Sequence, residues 1–241
     1  MNEQNNLQNY GILFDMDGVL ISLVARWINP VEEIITSVNP NFDRERIRDE
    51  GSSLRLIQGG KKSLWLIKGI TQICKLGGLS RFQTLRVITI VGLRAITRKR
   101  FPIIPLEGAV ETLDSLKKMG FKLALVTSAS KFTIKKLEKE YPAIYNKFDT
   151  IVTRSDVKFT KPSPDQLNAA LMNLRVEKQY AVMVGDFVSD ILAGKNAGIK
   201  TVAVLGEFAE LSRPILESAN PDLIIINVTE LPKYLLHLFA P

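Results

Sequence analysis

The chain is expected to fold as a doubly wound parallel α/β core of Rossmann-like type that carries an inserted all-helical cap. Three observations lead there. Short apolar runs without polar alternation recur along most of the sequence, as in strands buried on both faces of a parallel sheet. Amphipathic stretches of helical period lie between those runs. One contiguous segment near the N-terminus breaks the alternation and carries all of the excess positive charge.

The first run is 11–14, and 122–126, 150–153, 181–184, 201–204 and 223–226 follow. Between them, 110–119 has a helical pattern that stops at Gly120, and 131–141 follows Ser130, a good N-cap. Ser163-Pro164 reads as an N-cap and a first-turn proline opening a helix to 174, and 191–197 stops at Gly198. The segment 22–100 holds fifteen Lys and Arg against six Asp and Glu, a balance of +9, whereas the remainder holds seventeen against nineteen. Within it 31–38, 61–74 and 80–97 look helical and no strand pair stands out. Ser80 and Gln83 form a capping-box pattern just after Gly77-Gly78. The expected domains are therefore a core of 1–21 with 101–241, and a cap of 22–100.

Composition narrows the function classes. With 46% apolar and 24% charged residues the 241-residue chain has a globular balance. A single cysteine, Cys74, excludes an intrachain disulfide framework and a multi-cysteine zinc site. A single histidine, His237, argues against a Ser-His-Asp triad or a His-rich metal site. Both fall in apolar helical patterns, where packing explains them. The first nine residues are polar and no apolar run nears the ~18 residues of a membrane span, so a soluble cytoplasmic protein is expected.

The chemistry is expected where strands end, because ligands of open α/β sheets bind beyond the carboxyl ends of their strands. Phe14-Asp15-Met16-Asp17-Gly18 follows the first run, and Gly185-Asp186-Phe187-Val188-Ser189-Asp190 follows the fourth. Plain turn and helix-capping roles explain some of these aspartates. Four carboxylates at the ends of two strands also repel one another, and an oxygen-seeking divalent cation would relieve that repulsion. Thr127 and Ser128 end the second run, where a hydroxyl and nearby backbone N–H groups can hold a phosphate oxygen. Lys161 stands in Thr160-Lys161-Pro162-Ser163-Pro164, a loop whose prolines fix where the ammonium points. Gly59-Gly60-Lys61-Lys62 lacks the leading glycine and the Ser/Thr of a P-loop, and Asn227-Val228-Thr229 fits a glycosylation pattern that means nothing without secretion.

In this order the motifs resemble those of the haloacid dehalogenase-like superfamily, the Asp-nucleophile phosphohydrolases. Asp15-Met16-Asp17-Gly18, Thr127, Lys161-Pro162 and Gly185-Asp186 with Asp190 match its four motifs. Leu106-Glu107-Gly108-Ala109-Val110, Phe148-Asp149-Thr150-Ile151-Val152 and Ala193-Gly194-Lys195-Asn196-Ala197-Gly198 resemble its phosphoglycolate phosphatase and β-phosphoglucomutase branch. The resemblance implies that Asp15 attacks phosphorus and forms an aspartyl-phosphate, while Asp17 serves as general acid and then base. It implies Mg²⁺ on Asp15, the Asp17 carbonyl and Asp186, with Asp190 anchoring that shell, and a small phosphorylated metabolite held by Thr127 and Lys161.

Two relatives of this chemistry are weighed. A halide leaving group needs no proton, and dehalogenases lack the second aspartate present here as Asp17. A phosphomutase shares every core motif and stays open. In the cap, Arg48, Ser52 and Arg55 surround Gly51 in a stretch like the loop that sets specificity in related caps, where they would meet a remote substrate group. A different class of reading makes the basic cap a docking surface for nucleic acid or an anionic membrane, through Trp65, Leu66, Ile67 and Ile70 beside Lys61, Lys62 and Lys68.

Overall fold

Six parallel strands arise from the six apolar runs: β1 (Gly11–Phe14), β2 (Lys122–Val126), β3 (Thr150–Val152), β4 (Ala181–Gly185), β5 (Lys200–Val204) and β6 (Leu223–Ile225). Their order across the sheet is β3-β2-β1-β4-β5-β6, so β1 and β4 lie side by side where the winding direction reverses. The structure is a computed structural model and describes residues 7–42, 64–96 and 102–239. Its helices are α1 (Asn29–Val38), α2 (Leu64–Leu76), α3 (Arg81–Ile96), α4 (Ala109–Met119), α5 (Lys131–Glu140), the single turn α6 (Pro142–Tyr145), α7 (Asp165–Leu174), α8 (Val188–Ala197), α9 (Ala209–Ser218) and α10 (Leu231–Leu238). The α/β class and the parallel sheet agree with the expectation. Among the described residues no helix is long and apolar enough to cross a membrane.

By contacts the chain divides into two compact units, Met1–Ser22 with Pro105–Pro241, and Leu23–Ile104. In the first unit, Leu13, Ala124, Val126 and Met183 point from the sheet onto Leu167, Ala170 and Leu171 of α7 and Ala193 and Ala197 of α8. This layer is mostly apolar because both helices repeat small and aliphatic residues every three to four positions. Gly120 and Gly198 take left-handed conformations and close α4 and α8 as expected, and the Ser130 hydroxyl accepts from Thr133 N at 3.3 Å to cap α5. Immediately after β1 the chain folds on itself: Leu20 N and Ile21 N both donate to Met16 O at 3.0 Å, and Gly18 N donates to Ile21 O at 2.7 Å. Ile21 then bridges Pro105, and Leu106 N donates to Leu20 O at 2.9 Å.

The opening of α7 differs from expectation. Asp165 is its first residue and Pro164 takes the N-cap place with helical backbone angles. The Ser163 hydroxyl, read as the cap acceptor, stands one residue outside the N-cap and donates to Asp165 Oδ1 at 2.7 Å. His237 is also not packed: it lies exposed in the last turn of α10.

The second unit is helical. A π-helical turn (Val24–Ile28) leads into α1, and α1, α2 and α3 share a core of Val31, Ile34, Ile35, Ile70, Ile73, Cys74, Val87 and Val91. Ser80 and Gln83 form the reciprocal capping box in front of α3, with Ser80 N on Gln83 Oε1 at 2.8 Å and Gln83 N on Ser80 Oγ at 3.3 Å. Cys74 is fully buried, and burial pushes its thiol up to about 11, which makes it a packing group rather than a nucleophile. Residues 61–63 of the expected second helix lie outside the described residues.

Candidate active site

Parallel register sets the site. Phe14 pairs with Leu125 on one side and Val184 on the other, so the residues that follow β1, β2 and β4 emerge together at one edge of the sheet. Those residues are Asp15, Thr127 and Asp186. The ladder continues into them, with Asp15 N donating to Val184 O at 2.9 Å and Thr127 N to Val152 O at 3.0 Å. The edge that collects these groups is the one where α/β sheets bind ligands.

Lys161 comes from the loop between β3 and α7 and is buried, unlike the solvated lysine that a loop position would suggest. Its Nζ donates to Asp15 Oδ1 and pairs with Asp190 Oδ1, both at 2.6 Å, and donates to the Val126 carbonyl at 3.1 Å. Asp190 lies in the first turn of α8, where its other oxygen accepts from Phe187 N at 3.0 Å. That second bond orients the carboxylate, because the helix N-terminus favours negative charge there. The helix begins only at Val188, so Asp186 precedes it and Asp190 lies in its first turn.

Thr127 is buried and its Oγ1 accepts from Ala129 N at 3.0 Å, an arrangement that leaves the hydroxyl proton to donate to an anion. Ser128 beside it is exposed. Gln166 was missed by sequence reasoning. Its Nε2 donates to the Thr127 carbonyl at 2.9 Å, and its Oε1 accepts from Lys161 N at 3.3 Å. The side chain is completely buried and locks the loop of Lys161 to the turn of Thr127. The available signal was a glutamine one turn ahead of Ala170, on the apolar stripe of α7.

The electrostatics are unbalanced. Burial pushes the Asp15 carboxyl up to about 7, with the charges of Asp190 and Asp17 adding and Lys161 opposing. Asp186 is held well above the usual carboxylate range, by burial first and then by Asp15 and Asp190. Burial alone would lower Lys161, yet Asp15 and Asp190 outweigh it and hold the ammonium above its ordinary value. Asp15, Asp186 and Asp190 each bring a carboxylate oxygen within 4.8 Å of the others. One ammonium does not neutralise three carboxylates, and Asp186 Oδ1 is buried with no hydrogen-bond partner. A hard divalent cation fits this donor set.

The structure thus brings together Asp15, Thr127, Lys161, Asp186 and Asp190. Asp17, two residues past Asp15, is partly exposed, and among the described residues its carboxylate is not in the three-carboxylate group. Arg48, Ser52 and Arg55 lie outside the described residues.

Comparison with known proteins agrees with this geometry. A family model described as haloacid dehalogenase-like hydrolase matches residues 11–198. Pyrophosphatase PpaX of Halalkalibacterium halodurans is 39% identical over 127 residues, covering 53% of this chain and 58% of that protein. The protein of the same name from Bacillus velezensis is 38% identical over 125 residues, covering 52% and 56%. The chain therefore spans less than two thirds of the length of these curated relatives. Among solved structures, a HAD-superfamily hydrolase of subfamily IA from Geobacter sulfurreducens superposes with a TM-score of 0.68 at 19% identity, covering 95% of this chain and 98% of that one. A magnesium-bound HAD-type protein, YfnB of Bacillus subtilis, gives 0.67 at 18%, covering 94% and 99%. A predicted phosphoglycolate phosphatase from Haemophilus somnus gives 0.65 at 20%, covering 94% and 97%. At these identities the likeness carries the fold.

Proposed function

The chain belongs to the haloacid dehalogenase-like hydrolases, and from that premise we propose that it is a Mg²⁺-dependent phosphatase acting on a small phosphorylated metabolite. Asp15 attacks the phosphorus through a carboxylate oxygen, the P–O bond to the leaving group breaks, and an aspartyl-phosphate forms. Asp17 gives its proton to the departing oxygen. Water then attacks the phosphorus of that intermediate, Asp17 takes a proton from it, and Asp15 and inorganic phosphate separate. Thr127 donates its hydroxyl proton to a phosphoryl oxygen, and the Lys161 ammonium offsets the charge gathered between the phosphoryl group and Asp15.

The cation would be held by Asp15, Asp186 and the Asp17 carbonyl, and when bound it supplies neutralising charge to the phosphoryl oxygens. Asp190 has both oxygens engaged, by Lys161 and Phe187 N, which supports a positioning role for it. Leu23–Ile104 is the cap in this reading, and Arg48, Ser52 and Arg55 are its candidate contacts to the rest of the substrate.

One observation supports the reading above the others: a buried lysine salt-bridges the aspartate that follows β1 across 146 residues of sequence. Such a pair is costly to bury unless its charges are used. Pyrophosphate is the second substrate to consider, since the curated relatives at 38–39% identity are named pyrophosphatases. The deciding experiment is phosphate release from a panel of phosphomonoesters and pyrophosphate, with Mg²⁺ and with chelator, comparing wild type with Asp15→Asn. The variant should lose about a thousandfold or more on the best substrate. Equal rates for the two proteins would overturn the mechanism.

A further inference from the structure

Residues 51–100 contain eleven Lys and Arg and not one Asp or Glu. α3 lies within this stretch and is apolar on two sides. One side gives Val87 and Val91 to the core of its own unit. The other leaves Phe82 86%, Leu85 62% and Leu93 55% exposed. At 3.6 residues per turn these three fall within an arc of about 80°, and they extend about 16 Å along the axis. Arg81 and Arg86, both exposed, border that band on its two margins, and Thr89 lies within it. Arg94 is exposed as well, and α2 presents Ile67 together with Lys68 and Lys75. A phenylalanine so open to water, in line with two leucines and flanked by cations, marks a contact surface.

We propose that this face of α3 seats the protein on an anionic membrane surface. Phe82, Leu85 and Leu93 enter the apolar layer below the headgroups, and Arg81 and Arg86 pair with anionic headgroups at either margin. Charge selects this partner over two others. A second copy of the chain meeting face to face would set arginine against arginine with no carboxylate on the helix to pair them. A nucleic acid would satisfy the arginines but leave three large apolar side chains in water over a phosphate backbone. The proposal also relocates the surface that the sequence suggested on 65–70. Of that stretch Ile70 is buried in the helical core while Ile67 is exposed, and the proposal rests on the longer exposed band of α3.

The test is co-sedimentation of the full chain with vesicles of phosphatidylcholine alone, or of phosphatidylcholine with about one third phosphatidylglycerol. Binding should require the anionic lipid and should weaken as salt rises. Arg81→Gln with Arg86→Gln should weaken it about thirtyfold. Phe82→Ser with Leu85→Ser should weaken it about tenfold or more while the melting temperature holds. A Phe82→Trp variant gives a readout that does not depend on those doubles, since its added fluorescence should shift to the blue only with anionic vesicles. Failure of the wild type to bind, equal binding to both vesicles, equal or tighter binding to a DNA duplex, or a dimer that the Phe82 and Leu85 changes split would each overturn the proposal.

Discussion

A Cβ placed on Gly185 would lie 2.2 Å from the Cβ of Asp190 and 2.5 Å from its carboxyl carbon. The last residue of β4 is therefore bare so that the carboxylate beside Lys161 can come down onto the strand. Asp190 is almost completely buried and has no open side to retreat to. Gly185→Ala should lower stability by about 1–3 kcal/mol, and it should depress phosphatase turnover because Asp190 loses its place 2.6 Å from Lys161. Urea denaturation and kcat measure the two effects. A variant that keeps both would show that Asp190 can move without consequence.

Gln166 is expected to act as a positioning residue. Gln166→Met leaves the Thr127 carbonyl and the Lys161 N–H without their buried partner, at a cost of about 1–3 kcal/mol. Displacing Lys161 should also reduce kcat by about tenfold to a hundredfold with little change in KM. Loss of stability with unchanged kcat would assign Gln166 to the fold alone.

For Asp17, the leaving group is the probe. Asp17→Asn removes the proton donor, so first-turnover release of an alkyl alcohol should slow by about a hundredfold or more. First-turnover release of p-nitrophenol, which departs without needing that proton, should slow far less. Equal slowing of both would deny Asp17 the role of general acid.

Acid stability should report on Asp222. Burial works against its charge, but the Thr201 hydroxyl at 2.7 Å, the Thr201 N–H at 2.8 Å and Lys200 together hold its carboxyl below the usual range. A depressed carboxyl contributes stability above its unfolded value of about 4, and that contribution is lost as pH falls through the lower folded value. Urea midpoints of wild type and Asp222→Asn should differ at pH near 7, and the gap should close in strong acid. A gap that is constant over that range would mean that the charge is idle.

All six strands were legible because each is a mostly apolar run: β1 and β4 are buried throughout, β2 and β5 at all but their first residue, and only the edge strands β3 and β6 are part-buried, so little polar alternation confuses the pattern. The aspartates were legible too, since Asp15 and Asp186 come within two residues of the end of a run and Asp17 and Asp190 follow close behind them. Lys161 was legible by motif but not in its burial: the partners that bury it, Asp15 and Val126, are distant in sequence. Gln166 was invisible for the same reason, because its two hydrogen bonds join a loop to a strand end. At Ser163 the helix opens later than the Ser-Pro pattern placed it, with Pro164 at the N-cap, and the hydroxyl serves as a donor to Asp165 rather than as the cap acceptor. On α3 the helix was read but not its outward face, since apolar residues on both sides weaken any periodic signal.

Ile21 and Pro105 pair across a single bridge, so the chain leaves the sheet for its helical insertion and returns from it at neighbouring points. All six strands are drawn from outside that detour. The length and sequence of that detour are thus free of the register that aligns Asp15, Thr127 and Asp186. Heredity can rewrite the insertion while Asp15 stays where β1 leaves it.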